Sequence, residues 1–408
     1  MVKRFIVLVL AALLALSCES GTSRSEQPLA DCELITVPTP DLSAIEENGT
    51  ALLALYRAAA DATDVEQKAA LLRQAAGVTI RPAVRGYLLN LSEDLLAGDD
   101  ARSQRAWLAL SGSQMDLLVT GPVTRVVLHN PERTAQLRRV AARLPEFQAA
   151  LPADEDLLAF LPESTDLISC DVLYSGGGQT LTRESLGNRV ILFDNLIREQ
   201  YNRSVFPAGL LLLQPGQQVN LDASAFYWNA VFQELARDLG VQETLDGRPV
   251  DDALGEEAFT LESAKADALG TLLCLQEVQA RRVNAFITPE SVLATFATDL
   301  IRQTRLGAED PSGKASLLIY NFLTQQKALV RSAAGLYTID EGKAPGALEA
   351  LGGQILRLQA NGRPDAAAAF VKQYAQLPKT LRADIGKLEK NGIPADIRLC
   401  NDIDNTVQ

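Results

Sequence analysis

Phe232-Gln233-Glu234-Leu235-Ala236-Arg237-Asp238-Leu239-Gly240 is a helical stretch with ionisable residues set into an apolar run, and Thr260-Leu261-Glu262-Ser263-Ala264-Lys265-Ala266-Asp267 is a second of the same kind. Residues four apart share one helix face, so Gln233 and Arg237 lie together, with Glu234 three residues before Arg237. On both sides the helical pattern continues. Beyond Pro207 helices are predicted near 221–240, 257–280, 288–306, 315–333, 344–360, 364–376 and 378–390. Asn361-Gly362-Arg363-Pro364 and Asn391-Gly392-Ile393-Pro394 interrupt them, because Gly accepts φ > 0 and Pro opens the next helix or ends the last. From Leu42 to about Gly112 apolar residues again recur at helix spacing, as in Ala51, Leu52, Leu55, Tyr56 and Ala59. Met115 to Leu128 is β-like, with apolar triplets on either side of Gly121-Pro122, and predicts a hairpin or strand pair. Two further strands are predicted at Asp166 to Tyr174 and Val190 to Phe193, separated by a flexible Ser175-Gly176-Gly177-Gly178 connection and a short helix from Thr182 to Leu186. The fold class is mainly α with a small β-sheet (α+β). It divides into an N-terminal helical lobe with the sheet at 42–206 and a C-terminal helical lobe at 207–408.

The composition describes a folded protein, with 47% hydrophobic residues and a mean hydropathy of +0.03 over 408 residues. A net charge of −13 repels phosphate backbones, so nucleic acid is not expected as a partner. At the start, Lys3 and Arg4 precede an apolar run from Phe5 to Leu16, the layout of an export signal. These twelve residues are too few for a helix across a bilayer core, which takes roughly 20. Ala15-Leu16-Ser17-Cys18 resembles a bacterial lipobox, in which the signal is cut before a cysteine that carries lipid. Residues 1–17 then form the signal peptide, Cys18 the lipidation site, and 18–41 a flexible tether. Glu19 after Cys18 points to the outer membrane, with the protein lipid-anchored in the cell envelope on its periplasmic or surface face. An ordinary cleaved signal with an incidental cysteine is the alternative. Cys32, Cys170, Cys274 and Cys400 allow up to two disulfides, whose pairing stays open, and the apolar setting of Cys274 suits a buried thiol as well as a bridge.

The two quoted stretches together resemble a bacterial side branch of the dipeptidyl peptidase III family of zinc peptidases. There the first helix reads His-Glu-x-x-His-x-Leu-Gly and the second Glu-x-x-Lys-Ala-Asp; the best-known members space the histidines one residue further apart. Arg85-Gly86-Tyr87-Leu88, Gly121-Pro122, the run from Gly187 to Asn195 and Ile393-Pro394-Ala395-Asp396-Ile397 resemble further family stretches in the same order. The resemblance implies a two-lobed metallopeptidase frame. Two histidines and a glutamate from the second helix would hold zinc, and the glutamate after the first histidine would activate the metal-bound water.

In this chain the histidine positions are Gln233 and Arg237, while the third ligand position is Glu262, the general-base position is Glu234, and Asp267 keeps the place behind the ligands. Glutamine offers a weak neutral oxygen and arginine has no lone pair to give. Zinc is the cofactor the family implies, but with these residues no metal is expected. The single histidine, His129, lies in Leu128-His129-Asn130-Pro131 and reads as a surface or loop residue. Arg237 is expected to stand in for the metal by reaching Glu262 with a bidentate bond, next to Glu234. The function this implies is a catalytically inactive envelope lipoprotein whose cleft binds a peptide or protein. The alternatives are a hydrolase using Glu234 and Glu262, with an atypical metal site or none, and a structural lipoprotein of envelope assembly.

Overall fold

The computed structural model describes residues 32–37, 48–99, 101–110, 115–153, 155–158, 166–178, 180–186 and 189–399. The segment read as a signal peptide, Cys18, most of the segment read as a tether, and Cys400 lie outside the described residues. The architecture is α+β, with helices built around a five-stranded sheet and a larger helical core.

The first strand, β1 (Cys32–Ile35), precedes three helices, Gly49–Asp61, Val65–Val78 and Pro82–Ala97. The sheet follows as β2 (Met115–Thr120), β3 (Val123–His129), β4 (Asp166–Gly176), β5 (Arg183–Leu186) and β6 (Arg189–Phe193), in the spatial order β2-β3-β4-β6-β5. The β2/β3, β3/β4 and β5/β6 pairs are antiparallel, and β4/β6 is parallel. Successive side chains of a strand point to opposite faces, and here each face meets a different core. On β6, Ile191 and Phe193 pack with Tyr56, Leu88 and Trp107, whereas Leu192 between them packs with Trp228 and Phe232. Ile168 and Leu167 on β4 divide in the same way. Core membership therefore follows the faces of the sheet: Leu137 and Phe147 belong to the large helical core, and Ile397 and Leu399 return to the first.

From the sheet the chain passes into the helical core through Asp194–Gln200, a π-helical turn at Tyr201–Val205, and Phe206–Leu212. The widened turn sits just before Pro207, where the helix lacks an N–H donor. The helices Ala223–Arg237, Ala258–Gln279, Pro289–Gln303, Pro311–Gln325 and Ala344–Asn361 follow. A hairpin of β7 (Leu329–Arg331) and β8 (Tyr337–Ile339) lies between the last two. Strand β9 (Asp396–Leu399) pairs in parallel with β1, Cys32 opposite Asp396 and Ile35 opposite Leu399. The chain before β9 is fixed by side chains gripping successive carbonyls: Arg305 donates to Ile393 O at 2.7 Å, Ser204 to Pro394 O at 2.7 Å, and Arg302 to Ala395 O.

Three segments differ from the sequence reading. β1 lies within the segment read as tether; its strand partner among the described residues, β9, is distant in sequence and leaves no local signal. Arg183–Leu186 is a strand and not a short helix; as an edge strand with charged residues it shows little apolar alternation. The helix predicted at 315–333 ends at Gln325, and β7 begins four residues later.

Candidate functional site

The helix Ala223–Arg237 starts on Asp222, whose side chain accepts from Ala225 N at 2.7 Å, a conventional N-cap. Its residues 231–236 are all buried. The 22-residue helix Ala258–Gln279 crosses it at Gly270. A Cβ there would lie 2.6 Å from both the N and the Cα of Gln233, so only glycine allows the two backbones to touch. This contact places Gln233, Glu234 and Arg237 opposite Glu262, Lys265 and Asp267.

Glu234, 3% exposed, receives two guanidinium groups on the same oxygen: Arg183 from β5, and Arg237 Nε at 3.5 Å. Glu262 is held from its own helix and from a third. Lys265 Nζ is 2.8 Å from Glu262 Oε1, and Gln359 Nε2 donates to Glu262 Oε2 at 3.0 Å. Lys265 is completely buried. Its ammonium also donates to Leu239 O at 2.5 Å and lies 3.4 Å from Arg237 O. These are carbonyls at the C-terminal end of the first helix, where the backbone carries partial negative charge.

Arg237 thus does not bridge to Glu262 as the sequence suggested. Glu262 has Lys265 three residues on, on its own helix face, and Arg237 turns back to Glu234, also three residues away. Of the site, Gln233, Glu234, Arg237, Glu262 and Asp267 were named from the sequence, whereas Arg183, Lys265 and Gln359 were missed as partners. Lys265 was visible inside the quoted motif; Arg183 and Gln359 arrive from distant segments and leave no local signal.

The residues do not fit a zinc ion. Gln233 offers only a neutral amide oxygen, and Arg237 has no lone pair to give and brings a positive charge. Among the described residues no group of three or more His, Cys, Asp or Glu side chains is placed to hold a metal.

Electrostatics strain the remaining acids. Burial raises the Asp267 carboxyl from an ordinary 3.8 to about 6; Arg237 and Arg183 pull it down, and Asp299 and Glu234 push it further up. Burial likewise raises Asp238 to about 6, against the pull of Lys265. For Arg237 burial opposes the charge, but Glu234, Asp267 and Glu262 outweigh it and raise its pKa. A carboxyl whose pKa is raised by folding binds more protons folded than unfolded. The stabilisation from protonated Asp267 is therefore complete below about pH 4 and is lost as pH rises through about 6. Asp267→Asn should gain melting temperature relative to wild type between pH 4 and pH 7; a constant difference across that range would contradict the assignment.

His129 is not a surface residue. It ends β3 with its side chain 9% exposed, and its Nε2 lies 3.0 Å from Asp116 Oδ2. Trp107 Nε1 donates to Asp116 Oδ1 at 2.8 Å. The cross-strand neighbour Cys170 puts Sγ 3.7 Å from His129 Nδ1. Burial works against the imidazolium, but Asp116 outweighs it and pushes the pKa up to about 11. Cys170 and Cys274 are both buried free thiols, with pKa values raised first by burial.

With the geometry in place, the class of fold is plain: the chain has the α+β fold of dipeptidyl peptidase III. The dipeptidyl peptidase III structure from Caldithrix abyssi matches with a TM-score of 0.78 at 21% identity, covering 83% of this chain and 70% of that one. The dipeptidyl-peptidase III structure from Corallococcus sp. strain EGB matches with a TM-score of 0.70 at 22% identity, covering 82% and 67%. Among curated proteins, Nudix hydrolase 3 of Arabidopsis thaliana is 23% identical over 363 residues, which is 80% of this chain. The chain spans about half the length of that protein, 46%. No family model matches.

Proposed function

We propose that this chain is a catalytically inactive relative of the dipeptidyl peptidase III-like zinc peptidases, whose site binds a peptide or protein ligand without cutting it. In this reading it is a lipid-anchored protein of the cell envelope, attached through Cys18 at the outer membrane. The observation that carries the proposal is the replacement of both histidine positions on a retained frame, with Gln233 and Arg237 in their place and Arg237 paired to Glu234. A hydrolase working through Glu234 and Glu262 would need carboxylates free to exchange protons. The ion pairs of Glu234 with Arg183 and of Glu262 with Lys265 weigh against it.

Metal analysis of the wild type beside the double replacement Gln233→His, Arg237→His tests the reading. The wild type should purify without zinc and leave peptides intact. The double variant should gain about one zinc per chain, because the two introduced imidazoles would join Glu262 on one side of the helix pair. Stoichiometric zinc in the wild type, or peptide turnover lost in Glu234→Gln, would overturn the proposal.

A further inference from the structure

A cleft of about 140 Å³ lies between the helix Ala101–Leu108, the end of β3, the start of β4 and the helix Pro131–Ala141. It is apart from the helix crossing. Ile168, which lines it, belongs to the first core, whereas Leu167 beside it belongs to the core of the site helices. Trp107, 1% exposed, forms the floor with Ile168, and the His129 ring is tilted 36° to the indole at a centroid distance of 5.2 Å. Leu108 adds a further apolar wall. One face of the second helix supplies the rest: Pro131, Thr134, Ala135 and Arg138 stand at i, i+3, i+4 and i+7, with the small Ala135 exposed.

Most of the polar side chains in this lining are already engaged. Trp107 Nε1 donates to Asp116 Oδ1 at 2.8 Å, and Thr134 Oγ1 accepts from Ser169 N at 3.0 Å. His129 is protonated at neutral pH and spends both ring nitrogens, Nε2 on Asp116 at 3.0 Å and Nδ1 towards Cys170 Sγ at 3.7 Å. Arg138 is the exception. Its Nε and Nη2 donate to Asp166 at 2.7 and 3.1 Å, while Nη1 makes no hydrogen bond among the described residues. Arg189 Nε donates to the same carboxylate at 3.2 Å. Two guanidinium groups thus share one acid, and the mouth of the cleft holds one unbalanced positive charge. The imidazolium adds nothing to it, because Asp116 balances His129.

We propose that this cleft binds a small apolar monocarboxylate, its compact aliphatic or aromatic body on Trp107, Leu108 and Ile168 and its acid group on Arg138. Size and charge select that class. An apolar cavity of about 150 Å³ holds benzene, so this one suits a single ring or a branched chain of similar bulk. The open guanidinium nitrogen offers a charge-assisted bond to a carboxylate oxygen, and one surplus charge matches a single acid group.

Calorimetric titration with phenylacetate, phenylacetamide and acetate tests the assignment. Phenylacetate should bind the wild type, the neutral amide should bind about tenfold more weakly or worse, and acetate, which lacks the ring, should not saturate. Arg138→Gln should cost phenylacetate about tenfold and leave phenylacetamide where it was; Arg189 still pairs Asp166, so the fold keeps that contact. Ala135→Trp, at an exposed position, should fill the cleft and abolish binding of both. N-acetylphenylalanine, which presents the same ring and acid as the end of a peptide, should bind more weakly than phenylacetate. The reverse order would transfer the cleft to a peptide carboxyl terminus and overturn the small-acid assignment. Equal affinity for acid and amide, undiminished binding in Ala135→Trp, or no saturation by phenylacetate would overturn it as well. The acid and amide comparison uses wild-type protein alone, so it decides even where a variant does not fold.

Discussion

Lys265→Met is expected to lower unfolding stability by about 3–5 kcal/mol, the range for removing one partner of a buried ion pair. Methionine has nearly the length of the lysine stem, so the completely buried position stays filled and the loss isolates the ammonium. Three acceptors are affected. Leu239 O and Arg237 O lose the donor that ends the first site helix, and Glu262 is left with Gln359 alone. Adding Glu262→Gln to Lys265→Met should recover part of the loss, since the uncompensated carboxylate is then gone. Urea unfolding of the two variants beside wild type reads both effects. A loss below about 1 kcal/mol in the single variant would mean that these three contacts contribute no net stabilisation.

Gly270→Val is expected to cost about 3 kcal/mol or more and to disorganise the site as well. Any Cβ at 270 meets the main chain of Gln233 and Phe232 at 2.6–2.8 Å, and backbone cannot swing aside as a side chain can. The helices must part, which opens gaps around the Leu235, Leu261 and Leu269 contacts in the large core. Gly270→Ala is the milder test, because the gain in helix propensity of about 1 kcal/mol offsets part of the clash. Chemical denaturation gives the cost. The intrinsic fluorescence of Trp228, on the first helix and 1% exposed, reports the separation. A Gly270→Val protein as stable as wild type would show that the helices do not approach as closely as the Gln233 contact requires.

The extent to which this fold was legible depends on how far each contact reaches along the chain. Helices 223–237 and 258–279 and strands β2, β3, β4 and β6 follow from periodicity, since the side chains that bury them recur locally. β5 and β7 are short and polar or isolated, and they exist because a neighbouring strand offers hydrogen bonds. The site divides in the same manner. Gln233, Glu234, Arg237 and Glu262 could be named from helix spacing and the resemblance. Which cation meets which carboxylate could not be named. Arg183 comes to Glu234 from the edge of the sheet, 51 residues away, and thereby leaves Arg237 with open nitrogens. His129 was misjudged for a similar reason: its turn-like Asn130-Pro131 context hides Asp116 and Cys170 on the neighbouring strands.

The parallel pairing of β1 with β9 also sets an order of events during synthesis. Cys32–Ile35 emerges from the ribosome long before the strand it pairs with, Asp396–Leu399. Until then the early strand has no partner, although the helices and the sheet between can already collapse. Closing so long a loop is slow but adds only a modest entropic penalty over a shorter one, because the cost grows with the logarithm of its length. Of this pair, the strand translated first is thus secured only when the second arrives, and translation of the chain between them, more than local stability, times its completion.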